Sequence, residues 1–212
     1  MHDISIPLAP GSPEWPGDTV FTCGWPQRMA DGESVNVSQW IMSPHTGTHA
    51  DAPLHVRDGA PGADAIPLAP FIGPALVVDV SHVEGAISLD VLQHGGYTVD
   101  TTRLLLQTGR SNASGAFPGH WPALDPDVAR TLARSGLRLL GVDCPSVDDR
   151  HSKTLAVHHA LFDGGAQVLE SLDLRGISPG RWDLLAMPMK VGVVDAAPVR
   201  AFLRPLPSDT AR

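Results

Sequence analysis

The segment Pro44–His55, PHTGTHADAPLH, holds His45, His49, Asp51 and His55. Ten histidines spread evenly over 212 residues would leave about half of one in a window of this size, and three are here with a carboxylate among them. Imidazole and carboxylate are the groups that zinc and similar divalent ions take as ligands. Positions 45, 49, 51 and 55 share one parity, and an extended chain aims alternate side chains to one face. A helix would set residues 49 and 51 about 200° apart, and Pro44, Gly47 and Pro53 disfavour one here. The segment is therefore expected to be extended, with four metal-capable groups pointing one way. The residues between them (Thr46, Gly47, Thr48, Ala50, Ala52) are small enough to let the backbone approach an ion.

Further donors must come from elsewhere in the chain, and the candidates lie in His151–Glu170. His158 and His159 are adjacent and so point different ways, and residue type alone leaves open which of them is a ligand. Glu170 closes the run Ala166–Leu169, which reads as the end of a short strand. Trp15, Trp25 and Trp40 could supply flat apolar surface for an aryl ring. Trp40 lies inside an alternating segment and is expected in the core. Trp15 sits in the turn-like PEWPGD, where binding explains a large aromatic better than packing does. Cys144 stands beside Asp143, but nothing local lowers its pKa, so a packed thiol is expected. A serine nucleophile is not expected.

The elements that would position these groups are short. Ser34–Met42 alternates in part, with Val35, Val37 and Ile41 on one side, and reads as a strand. Ala75–Val80, Leu104–Thr108, Leu137–Val142 and Leu184–Met187 are apolar runs bounded by Gly, Pro or charge. They read as buried strands, although periodicity alone does not separate them from short helices. Asp125-Pro126 opens a helix stopped at Gly136, with Val128, Ala129 and Leu132 facing inward, and Ser88–His94 forms another ended by Gly95-Gly96. Helices spaced between strands predict an α/β or mixed α+β domain.

Composition bounds the partners. A chain of 212 residues, 42% hydrophobic and 18% charged, is expected to form one globular domain over residues 1–212. Its 21 Gly and 20 Pro argue for many turns. Acids outnumber bases 23 to 15, and a net charge of −8 is a poor start for a nucleic-acid partner. No apolar run approaches the length of a membrane span, and the N-terminus carries no visible signal peptide. Cys23 and Cys144 do not make a disulfide framework and are expected as free thiols in a reducing cytoplasm.

Motifs along the whole chain occur in an order that resembles the metal-dependent cyclase-type hydrolases, a family that includes the bacterial kynurenine formamidases. The matching segments are HDISIPL, PEWPGDT, VNVSQWIMSPHTGTHADAPLH, GVDCPSVD, SKTLAVHHALF and LLAMPMKVGVVDAAPVRAFLRPL. The resemblance implies one mixed α/β domain with a central β-barrel-like sheet flanked by short helices, assembled as a homodimer. It implies that His45 and His49 bind one metal, that Asp51 bridges two, that His158 binds the second and that Glu170 binds both. The ions would be Zn2+, two per subunit, with Mn2+ or another divalent ion accepted by the same ligands. His55 would be the catalytic acid–base, with a further metal ligand as the other reading, and Trp15 would stack on an aromatic substrate.

The implied reaction is hydrolysis of N-formyl-L-kynurenine, a small aryl formamide, to L-kynurenine and formate in tryptophan breakdown. Another cyclic amide, a lactone or an ester is the alternative substrate. Two divalent ions against the two negative charges of Asp51 and Glu170 leave an excess that favours a bound hydroxide, and His55 could protonate the amine that leaves. Three departures stand out: Ala156 where the family often has an Asp two residues before the later His, Cys144 in place of Thr, and the stretch Gly109–Leu124, which bears on the substrate more than on the chemistry.

Overall fold

The computed structural model describes residues 1–206. Its strands are β1 (His2–Asp3), β2 (Thr22–Gln27), β3 (Val37–Ile41), β4 (His49–Asp51), β5 (Ile72–Asp79), β6 (Ala86–Ile87), β7 (Arg103–Gln107), β8 (Ala123–Leu124), β9 (Leu139–Val142), β10 (Gln167–Glu170), β11 (Gly180–Pro188) and β12 (Ala196–Arg204). The α-helices are α1 (Leu89–His94), α2 (Pro126–Arg134) and α3 (Ala156–Asp163). No helix among the described residues is long and apolar enough to cross a membrane.

Seven strands close a ring in the order β12–β11–β5–β7–β9–β10–β4 and back to β12. From β5 through β7 and β9 to β10 the neighbours run parallel. The pairs that complete the ring through β4, β12 and β11 are antiparallel. This is the mixed α/β architecture with a barrel-like sheet that the resemblance implied. Parallel neighbours need a crossover, and α1, α2 and α3 lie in the three connections, covering the ring from outside.

Two cores explain why the strands read as unbroken apolar runs. Ala75, Val77, Leu105, Leu139, Leu169, Leu184 and Ala201 belong to a cluster that fills the ring. Their neighbours Leu76, Val78, Leu104, Leu106, Leu140 and Val168 pack instead against Leu92 of α1, Leu132 of α2 and Leu161 of α3. A strand buried on both faces has no polar side to alternate with. The helices expected at Ser88 and Asp125 form with those residues as caps: Ser88 Oγ accepts from Val91 N, and Asp125 Oδ1 accepts from Asp127 N at 2.7 Å. On α2, Ala129 and Leu132 are buried and Val128 is partly so.

One expectation is corrected and one helix is added. The strand in Ser34–Met42 exists as β3, but it pairs with β2 in a ribbon of its own rather than with the ring. Trp40 is accordingly 53% exposed instead of in the core, and Val35, Val37, Ile41 and Trp25 are exposed with it. Alternation predicts a strand but not what faces it. Helix α3 was not legible in His151–Glu170; it starts at Leu155 in a left-handed conformation (φ 44°), with no side-chain cap of its own.

Candidate metal centre and cleft

Antiparallel pairing sets His49 of β4 opposite Glu170 of β10, and Asp51 opposite Val168. Opposed residues share a face. His49, Asp51 and Glu170 therefore leave the sheet together while Ala50 and Leu169 enter the ring's core. Only His49–Asp51 is strand; His45 lies in the turn before it, and His55 ends a 3₁₀ turn, Pro53–His55, after it. The expected single extended face over all four residues is thus a short strand with a turn at each end. Gly47 sits at φ 70°, where an added Cβ would lie 2.6 Å from Leu8 Cδ2, and Pro53 opens the later turn.

Asp51, fully buried, is the hub. Its Oδ1 is 3.1 Å from His45 Nδ1 and 3.3 Å from His49 Nε2, and its Oδ2 is 3.1 Å from His158 Nε2. Glu170 runs parallel to it, with Oε2 3.4 Å from His49 Nε2 and Oε1 3.3 Å from His158 Nε2. The donors fall into two corners, one with His45 and His49 and the other with His158, and both carboxylates span them. His158 is buried on the sheet side of α3, whereas His159 lines a separate hollow of about 490 Å³ between α2 and α3.

The donor set fits a divalent cation. His49 Nε2 and Asp51 Oδ1 are buried with no hydrogen-bond partner among the described residues, a state that costs about 1–3 kcal/mol per group. A cation between them would satisfy both. Two sets, His45–Asp51–His55 and His49–Asp51–Glu170, each bring three ligand atoms within 4.8 Å of one another. The electrostatics ask for positive charge as well. Burial disfavours a charged His49, yet Asp51 and Glu170 outweigh it and push the imidazole up to about 10. Burial is likewise overcome at His45, which Asp195 and Asp51 raise to about 9. Burial would raise the Asp51 carboxyl, but His49 and His158 hold it well below its usual range.

The ligand atoms are held in place from behind. His49 Nδ1–H donates to the Gly47 carbonyl at 2.9 Å and His158 Nδ1–H donates to Asp148 Oδ2 at 2.7 Å, so Nε2 is the atom each ring turns to the two carboxylates. Val147 N–H donates to Glu170 Oε1 at 2.8 Å. Asp148 also accepts from Val157 N and His158 N at 3.0 and 3.1 Å, which caps α3 from a distant loop. This answers the departure at Ala156: a carboxylate still backs His158, supplied by Asp148. Cys144 is buried, its thiol pushed well above its usual range by burial and by the Asp143 charge, and both cysteines are free.

Above the donors opens a cleft of about 460 Å³. Trp15, Phe117 and Leu155 give it apolar walls, and His45, His49, His55, His158 and Glu170 form its floor. Trp15 is 40% exposed, and its ring meets Phe117 and Trp121 edge-on at centroid distances of 5.4 and 5.9 Å. Trp121 is buried and anchors the trio by donating from Nε1 to the Asp148 carbonyl at 2.8 Å. The departing stretch Gly109–Leu124 thus supplies Phe117 and Asn112 to the cleft. The string G-x-S-x-G does occur, at Gly176–Gly180, but it leads into β11 rather than from a strand into a helix, so it lacks the setting of a nucleophile elbow.

A profile of the family described as "Putative cyclase" matches residues 2–149. Kynurenine formamidase of Bordetella avium is 40% identical over 97% of this chain and 98% of its own. That of Salinibacter ruber is 42% identical over 98% of each. The chain belongs to the cyclase family. Among solved cyclase-family structures, one titled "The Structure Of Potential Metal-Dependent Hydrolase With Cyclase Activity" superposes with a TM-score of 0.82 at 29% identity, over 95% of this chain and 96% of that one. The matched profile contains the His45–His55 segment, whereas His158, Glu170 and Asp195 lie beyond it.

Sequence reasoning missed three residues that the structure brings to this site. Asp148 and Asp195 are single carboxylates in loops, with no periodicity to mark them. Both nonetheless lie in segments on which the family resemblance rested, GVDCPSVD and VGVVDAAP. Phe117 stands near Trp121 in a chain only 5% aromatic, which was the available signal.

Proposed function

We propose that this chain is a kynurenine formamidase, hydrolysing N-formyl-L-kynurenine to L-kynurenine and formate. The observation that carries the proposal is one cleft joining a bridged His–carboxylate floor to an aromatic wall. Relatives about 40% identical over nearly the whole chain bear that activity by name. The floor is sized for divalent ions, and we assign it two Zn2+ per chain, with Mn2+ able to replace them. His45, His49, Asp51 and Glu170 would hold one ion, and His158 with the same two carboxylates the other. Bound there, a divalent ion supplies acidified water and polarises a carbonyl.

The chain's own side chains do the rest. Trp15 and Phe117 receive the aryl ring and set the formamide over the floor. The amine that leaves needs a proton, because an anilide is a poor leaving group, and His55 in the cleft floor would deliver it. Asp51 and Glu170, buried and charged, keep the floor electrostatically complementary to cations. We assign the chain to the cytoplasm, as one domain over residues 1–212. We also assign it a homodimeric state, in which the exposed β2–β3 ribbon with Trp25, Trp40 and Ile41 supplies the interface.

The test is release of kynurenine from N-formyl-L-kynurenine by purified protein, before and after chelation. Turnover lost on chelation and restored by zinc or manganese is the expected result. A metal-loaded protein inert on the formamide but active on a lactone or cyclic amide would keep the floor and replace the substrate.

A further inference from the structure

His45 and His55 share one acceptor. Asp195 Oδ2 lies 3.0 Å from His45 Nε2 and 3.2 Å from His55 Nδ1, and the two rings stand 4.3 Å apart, tilted by 46°. A carboxylate oxygen only accepts, so each of those ring nitrogens carries a hydrogen. His45 thereby turns its other nitrogen, Nδ1, to the ligand cluster, 3.1 Å from Asp51 Oδ1. His55 keeps its lone pair on Nε2.

The carboxylate is well placed to do this. Asp195 stands immediately before β12, where Ala52 N–H, one residue past Asp51, donates to its carbonyl at 2.8 Å. Ala63 N–H donates to the Val194 carbonyl at 2.9 Å. The preceding turn holds Val193 at φ 57°, a left-handed conformation uncommon for a β-branched residue. The backbone that aims Asp195 is therefore tied to the histidine segment at Ala52 and to the turn beyond that segment at Ala63.

We propose that Asp195 is a positioning residue that sorts the two histidines, directing His45 through Nδ1 to the ligand cluster and leaving His55 Nε2 as the free acid–base atom. This rests on the formamidase assignment for its kinetic consequence, but not for its tautomers. Asp195→Ala and Asp195→Asn are compared with wild type by kcat and KM on N-formyl-L-kynurenine, by metal per chain, and by 15N-histidine NMR. Asp195→Ala is expected to lower kcat by about 10- to 100-fold with KM within about threefold, and to turn His55 from the Nδ1–H to the Nε2–H form. Asp195→Asn still offers an oxygen to both rings and is expected to retain the tautomers and lose less than about tenfold. The proposal is overturned if His55 in Asp195→Ala keeps the Nδ1–H form, if KM alone rises, or if both variants lose metal in step with activity. A wild type inert on the formamide would sink the assignment of function, while the NMR would still decide the role of Asp195.

Discussion

The floor and the wall of the cleft are built on opposite principles. The floor takes His49, Asp51 and Glu170 from two paired strands of a closed sheet, so ladder register fixes their spacing. His158 comes from a helix packed on the same sheet. The wall takes Trp15 from the turn-rich segment Pro13–Asp18 and Phe117 from a loop between β7 and β8. Rigid ladders hold what must not move by a fraction of an ångström, and loops hold what can differ from one substrate to the next. If that division is right, changes to the floor must act on metal and kcat, and changes to the wall on KM.

The largest effect is expected at Asp51, whose two oxygens face all three histidines of the two corners, His45, His49 and His158. Asp51→Asn removes the bridging charge and leaves two buried imidazoles and the half-buried His45 around a neutral amide. Metal content is expected to fall to a trace and turnover to background, read by metal analysis and kynurenine release on one preparation. A variant that held its metal and more than about a tenth of its kcat would break the floor–wall contrast at its strongest point. His55→Ala comes next. As acid–base it should cost about 10²- to 10⁴-fold in kcat while metal per chain stays at the wild-type level. A metal content cut by half with kcat preserved would make His55 a ligand instead.

Asp148→Ala separates support from contact. It touches no substrate-facing surface, yet it orients His158 and caps α3. A loss of about 10- to 100-fold in metal affinity is expected, with about 1 kcal/mol of stability from the cap. Competition with a chelator and a melting curve measure the two separately. If metal affinity stays while stability falls, Asp148 is only a cap.

The floor was largely legible in the sequence and the wall was not, for a physical reason. Ligands on one strand are forced into a fixed spacing, so His45, His49, Asp51 and His55 announce themselves as a cluster even though the segment's expected extended shape held only for His49–Asp51. The ring strands were legible too, because burial on both faces makes continuous apolar runs. Asp148 and Asp195 reach the site through loops whose geometry no periodicity encodes, and α3 hides because a remote carboxylate caps it. Trp40 misled because alternation marks a strand and not a core: on the ribbon it meets Phe21 edge-on at 6.3 Å and stays 53% exposed.

The wall is tested at Trp15 and Phe117. Edge-on aromatic pairs are worth about 0.5–1.5 kcal/mol, which is about two- to twelvefold. Trp15→Ala and Phe117→Ala are therefore each expected to raise KM by about that factor and to leave metal content unchanged. Steady-state kinetics on N-formyl-L-kynurenine, set against a non-aromatic formamide, sharpen the test: the penalty should vanish for the substrate that has no ring. A fall in kcat with KM constant would mean that the rings position the reacting carbonyl, and the wall would then share the work of the floor.

The smallest effect on turnover is expected furthest from the cleft, on the ribbon. Trp25 and Trp40 present their rings to solvent, and β2 and β3 pair only with each other among the described residues. A two-stranded ribbon alone is marginally stable in water, so a second copy covering those rings would stabilise both the ribbon and the assembly. Trp residues are frequent anchors worth 2 kcal/mol or more at the centre of interfaces, and each 1.4 kcal/mol is tenfold in affinity. Trp25→Ser with Trp40→Ser is therefore expected to weaken a dimer by at least about tenfold in sedimentation, at concentrations where wild type is dimeric. Because neither ring reaches the cleft, kcat per chain should change by less than about twofold. A dimer that persists unchanged would move the interface elsewhere on the surface. A kcat that collapses on dissociation would mean that the floor of each chain depends on its partner, and the contrast drawn within one chain would have to be redrawn between two.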